Sequence, residues 1–206
     1  ADIEVVGNGG AAGALADLTV GYGNSVASST VTFKGGVDAG DLTVTGDGVT
    51  SQTIVASGGE ADIDALTLSA STTATTINAL SSFNTSGALD LGATATLTIT
   101  GSGDVDLDAQ ALDVDVDTVD ASAATGNVSV SMGAIAANTA ATGATITDVT
   151  DVTVTTGSGN DTVTFDSTAG TEISLDTGAG HDTVIVERAL VAATATKVAD
   201  VLDGGA

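Results

Sequence analysis

The chain has 206 residues, of which 27 are acidic and 3 basic, giving a formal charge of −24, yet 42% of its residues are hydrophobic. Lys34, Arg188 and Lys197 are its only basic residues, so it has no electrostatic footprint for nucleic acid, and an anionic membrane surface would repel it. The apolar content is too high for a disordered acidic tail. What such a chain attracts is cations, and its aspartates, 23 against 4 glutamates, are the short carboxylates that suit calcium on turns.

Pro, Cys and Trp are absent, and the aromatics are Tyr22, Phe33, Phe83 and Phe165. This composition leaves neither a disulfide framework nor a globular aromatic core. No apolar run approaches the roughly 20 residues of a membrane-spanning helix, and no basic segment followed by an apolar one opens the chain. No transmembrane segment is expected.

In chain order, short apolar–polar–apolar triplets begin at Leu18, Leu42, Leu66, Leu89 and Leu112, at spacings of 24, 24, 23 and 23 residues. A second phase runs through Ile54, Ile77 and Ile99. Each triplet alternates at period two, as a strand with one inward face does, and Gly, Ser, Asn and Asp fill the gaps. The pattern predicts an all-β fold, a parallel β-helix or β-roll solenoid of about 21–24 residues per coil with at least two strands per coil. Leu42, Leu66, Leu89 and Leu112 should then stack in one interior column. A β-sandwich of many short strands is the rival architecture, disfavoured by the near-constant period and by the small, uniform apolar residues. Residues 1–150 read as plain solenoid coils and 151–206 as coils of a second character, continuing beyond Ala206. The Ala-rich stretches 134–144 and 189–199 raise a helical alternative, and Arg188 to Val201 reads as a short helix or a long loop.

Asp104, Asp106, Asp108, Asp113, Asp115 and Asp117 alternate with Val105, Leu107, Leu112, Val114 and Val116, which puts the carboxylates on a shared outward face. A solvated acidic face is the simple reading, and diffuse cation binding the functional one. Stacked rungs would bring like charges within about 5 Å, costing roughly 1 kcal/mol per pair even in water.

Toward the C-terminus two segments match closely, TGSGNDTVTF over Thr156–Phe165 and TGAGHDTVIV over Thr177–Val186, 21 residues apart. A turn that wraps carbonyls around a cation needs positive φ, which glycine supplies at Gly157, Gly159, Gly178 and Gly180. Asp161 and Asp182 would add carboxylates, and the carbonyls of Thr156, Ser158, Thr177 and Ala179 would help fill a shell of six to eight hard ligands. An ion shared between the two turns would clamp adjacent coils. Asp203, in the glycine-rich start Asp203-Gly204-Gly205, begins a third candidate turn 27 residues after the second. A plain Gly/Asp turn without metal is the alternative at each. Because the step is 21 residues, only one edge of each coil carries the motif, with Asp166 to Glu172 forming a plain opposite turn. The longer third step would hold an insertion around Leu190 to Lys197. His181 has no second histidine or cysteine to share a transition metal with, and no partner for nucleophilic catalysis. No catalytic or organic-cofactor site is expected, and the chain reads as a non-enzyme.

The paired segments follow the RTX nonapeptide pattern, with Thr156 and Thr177 in place of its first glycine and Val163 and Val184 at its large apolar position. With the Asp-, Thr- and Ala-rich coils before them, they resemble bacterial surface-layer proteins of the RTX class. That resemblance implies a secreted protein, exported by a type I system, that folds on meeting extracellular calcium and self-associates into a lattice or filament. It further implies localisation at the cell surface in an S-layer, with a cell-surface glycan or lipopolysaccharide as the candidate anchor. A stalk segment of a secreted RTX adhesin and the calcium-binding module of a secreted hydrolase are the alternatives.

Overall fold

The computed structural model describes residues 1–7, 15–112, 115–132, 152–165, 173–187 and 201–205. Its strands are short and rich in Val, Ile and Thr, residues that suit a pleated, half-buried surface. The first coil holds β1 (Asp2–Val6) and β2 (Leu18–Gly21), with Leu15 bridged to Ala39 of the next. The second has β3 (Ser28–Lys34), β4 (Val37–Ala39) and β5 (Leu42–Thr45), and the third β6 (Ser51–Ser57), β7 (Ala61–Ile63) and β8 (Leu66–Thr67). Next come β9 (Ala74–Ala79), β10 (Phe83–Thr85) and β11 (Leu89–Asp90), then β12 (Thr96–Gly101) and β13 (Val105–Leu107). The remaining coils hold β14 (Thr118–Ala124) with β15 (Val128–Met132), β16 (Val152–Thr155) with β17 (Thr162–Phe165), and β18 (Ile173–Asp176) with β19 (Thr183–Val186), followed by β20 (Val201–Asp203).

These strands stack in parallel into three sheets: nine strands from β1 to β20, seven from β4 to β19, and four from β2 to β11. The molecule is a parallel β-solenoid, and the sandwich alternative falls because corresponding strands of successive coils pair in parallel, while consecutive strands lie in different sheets and form no antiparallel hairpins. The N-terminal coils are three-sided. From β14 onward the described strands lie in the first two sheets only.

Register fixes the interior. Ile3, Val31, Ile54, Ile77 and Ile99 form one column across the first sheet, buried from Val31 to Ile99 and exposed at Ile3. Leu18, Leu42, Leu66 and Leu89 form another in the third sheet, with Leu42, Leu66 and Leu89 buried. Leu112 is buried as expected but lies outside a paired strand. Each such side chain, fully buried, contributes about 1.5–3 kcal/mol relative to exposure. The interior does use its aromatics: Phe33, Phe83 and Phe165 are all buried, and Phe33 and Phe83 stack on Ala56 and Ala61, where the small neighbour makes room. Some polar groups that turn inward find partners, as in Thr75 with Thr94 and Ser29 with Gln52, whereas the buried Thr85 hydroxyl has none.

Residue steps between stacked positions are 23 from Ile54 to Ile77, 22 from Ile77 to Ile99 and 21 from Val154 to Leu175. Two are longer, 35 from Val119 to Val154 and 27 from Leu175 to Leu202. The Ala-rich stretch 134–144, the boundary at 150/151, the turn 166–172 and residues 188–200 lie outside the described residues. Val201, the end of the expected helix, opens β20. Among the described residues, no helix is long and apolar enough to cross a membrane.

Candidate metal centre

The two motif turns occupy one corner of the solenoid, where the chain passes from the first sheet to the second. That corner recurs in the described coils from Gly36 to Gly180. A Cβ on Gly59 would collide with the backbone of Gly36, one on Gly103 with Ser81, one on Gly126 with Gly103, one on Gly159 with Gly126 and one on Gly180 with Gly159. Glycine holds that column at each of these rungs but Ser81, because successive rungs lie backbone on backbone. Gly157 likewise abuts the Ala124 carbonyl and Gly178 the Gly157 carbonyl. Positive φ was expected at all four motif glycines, but only Gly178 (φ 70°) and Gly180 (φ 145°) adopt it. At Gly157 and Gly159 close approach alone excludes a side chain.

The second sheet begins immediately after this corner, and its first inward position is occupied in turn by Val37, Ala61, Phe83, Val105 and Val128. By the same register the next two occupants are Asp161 and Asp182. The motif therefore replaces a hydrophobic column with carboxylates. Asp161 is 1% exposed. Its Oδ1 accepts the Val128 N–H at 2.8 Å, while Asp182 Oδ1 accepts the Asp161 N–H at 3.0 Å. Each carboxylate bridges to the preceding rung. The second oxygen of each, Asp161 Oδ2 and Asp182 Oδ2, is buried without a hydrogen-bond partner. Burial raises the Asp161 carboxyl above the usual carboxylate range; the Thr156 hydroxyl and the Val128 and Gly157 N–H groups oppose this, and the neighbouring Asp182 charge adds to it.

The threonines that replace the first motif glycine are buried, which explains that departure from the pattern. Thr156 Oγ1 donates to the Thr177 carbonyl at 2.8 Å, and Thr177 Oγ1 to the Asp203 carbonyl at 3.5 Å. Ala179 N donates to the Gly157 carbonyl and Ser158 N to that of Ala124, which pins the turns together. The Thr177 carbonyl retains a second lone pair for a cation. Ser158 and Ala179 are exposed at the rim.

Asp203 lies elsewhere in the pattern. It pairs in register with Asp176, and the two act alike, Asp176 Oδ1 accepting the Gly178 N–H at 3.0 Å and Asp203 Oδ1 that of Gly205 at 2.9 Å. These are turn caps two residues ahead of a glycine, on the opposite side of the corner from Asp161 and Asp182. Gly205 does stack on Gly178, so the 27-residue step restores the corner.

Sequence reasoning missed a second polar ladder. Asn127 N donates to Asp104 Oδ1, Asn160 N to Asn127 Oδ1 and His181 N to Asn160 Oδ1, at 2.7–2.9 Å. The signal was present in the pairs Gly103-Asp104, Gly126-Asn127, Gly159-Asn160 and Gly180-His181. His181 is exposed and takes part through its backbone. Among the described residues no three His, Cys, Asp or Glu side chains gather as a metal-binding group. Any ion here must draw on two carboxylates and backbone carbonyls, a donor set of oxygens only and therefore suited to a hard cation. No protein-family model, no curated protein and no solved structure matches this chain.

Proposed function

We propose that the chain is a structural segment of an extracellular bacterial surface layer or filament, a non-enzymatic solenoid whose C-terminal coils are clamped by calcium. The carrying observation is the pair of buried, unpartnered carboxylate oxygens, Asp161 Oδ2 and Asp182 Oδ2, on successive rungs. Rungs about 4.8 Å apart would leave two like charges facing one another in a half-dry corner, at a cost that a divalent ion between them removes. Asp161 and Asp182 would hold the ion, with carbonyls of Thr156, Ser158, Thr177 and Ala179 completing the shell. When bound, it would supply cross-rung cohesion and couple folding to extracellular calcium.

Calorimetric calcium titration tests this. Asp161→Ala and Asp182→Ala should each weaken binding, and the double change should add little if one ion is shared. Unchanged titrations in both single variants would overturn the reading, and strict additivity would mean two separate ions.

A further inference from the structure

The charge of −24 is not spread evenly around the solenoid. Strands β3, β6, β9 and β12 of the first sheet contain no carboxylate; their one charged residue, Lys34, is neutralised by Glu4 of β1 at 3.6 Å. Their outward face is small and β-branched. Thr30, Thr53, Thr76 and Thr98 form one column in register, half-buried by their neighbours. Acidic residues bound this field on both sides, Asp2 and Glu4 on β1 and Asp120 on β14. The second sheet, by contrast, presents Asp38, Asp62 and Asp106 outward.

We infer that this neutral threonine face is the surface through which a second copy of the same chain packs, sheet against sheet. Two chains of this charge repel wherever carboxylates meet, and burying those carboxylates is costly. Among the described residues, the face bounded by β3 and β12 is the widest stretch of sheet where close approach requires neither. Threonine hydroxyls both donate and accept, so a face of threonines is complementary to itself, as a two-fold contact requires. Small side chains also let flat sheets stack at about 10 Å. Four strands of this length cover about 400 Å² per copy, and the resulting 800 Å² or so per pair falls short of a stable standard interface. Isolated chains therefore associate weakly and arrayed ones strongly. This deepens the assembly part of the proposed function and is independent of the cation at Asp161.

The test is sedimentation velocity of the chain over a concentration series, with calcium in excess. Thr53→Asp/Thr76→Asp should lower the association constant at least tenfold, whereas Thr43→Asp/Thr67→Asp, on a column of the third sheet that already carries Asp90, should leave it within about twofold. Because the chain has no cysteine, single-cysteine variants give a second reading should the aspartates disturb folding. Thr53→Cys should form oxidised homodimer at least tenfold faster than Thr43→Cys. Association that persists in the first pair, or equal losses and equal cross-linking at both sites, would overturn this face while leaving a coat intact. No association of the unaltered chain would overturn both this face and the assembly reading.

Discussion

Replacing Asp161 by asparagine separates a cation site from an ordinary turn, because the two predict opposite signs. In chelator, the amide oxygen can keep the 2.8 Å bond from Val128 N–H, and the charge facing Asp182 disappears. Two unit charges about 5 Å apart repel by about 1 kcal/mol in water and about 3 kcal/mol near a protein surface, so Asp161→Asn should stabilise this corner by about 1–3 kcal/mol. Alanine should do worse than asparagine, since it strands the buried Val128 donor at about 1–3 kcal/mol. With calcium at one hundred times its dissociation constant, the unaltered chain gains about 2.7 kcal/mol, and Asp161→Asn should lose most of that gain. Hydrogen exchange at the Val128 amide reads the local effect with and without calcium. A calcium increment equal in both proteins, or an asparagine variant destabilised in chelator, would refute the reasoning.

The same linkage fixes a pH dependence. Asp161 is raised above the ordinary 3.8, chiefly by burial, so the folded state holds a proton the unfolded one releases. In chelator, its contribution to stability should therefore be full at and below pH 3.8 and be lost as pH rises through the raised value, whereas the calcium increment should grow over that window as Asp161 ionises; thermal melts of the unaltered chain and Asp161→Asn at several pH values check both signs. Leu66→Ala, between buried Leu42 and Leu89, should cost about 2–5 kcal/mol in chemical denaturation. Gly157→Ala should markedly destabilise the C-terminal coils through collision with the Ala124 carbonyl, while Gly23→Ala, with open space around it, should leave the melting curve nearly unchanged.

The leucine and isoleucine columns were legible because their period is nearly constant and their residue types repeat from Leu18 to Leu89 and from Ile54 to Ile99. The second sheet was not. Its N-terminal strands are only three residues long, and their first inward positions pass from Val37 to Ala61, Phe83 and Val105, so no common residue type announces them. The corner position of the motif followed from its glycines and aspartates, but its alignment with the preceding coils did not, because a 35-residue step separates Val119 from Val154. That step concealed that Asp161 inherits the place of Val128. Asp203 repeats Asp176, in the register set by the separate 27-residue step from Leu175 to Leu202. The inward threonines at 156 and 177 could not be told from turn residues until the rungs stood on one another.

The column that begins with Val37 and ends with Asp182 changes its chemistry once along its length, between Val128 and Asp161. On one side, cohesion between rungs comes from apolar filling and is nearly indifferent to the ions and pH of the surroundings. On the other, the same geometric slot holds two carboxylates, whose mutual repulsion depends on pH and on the ions that screen it. A stack built this way has a fixed half and an adjustable half within one continuous backbone, and one residue per rung decides to which half that rung belongs.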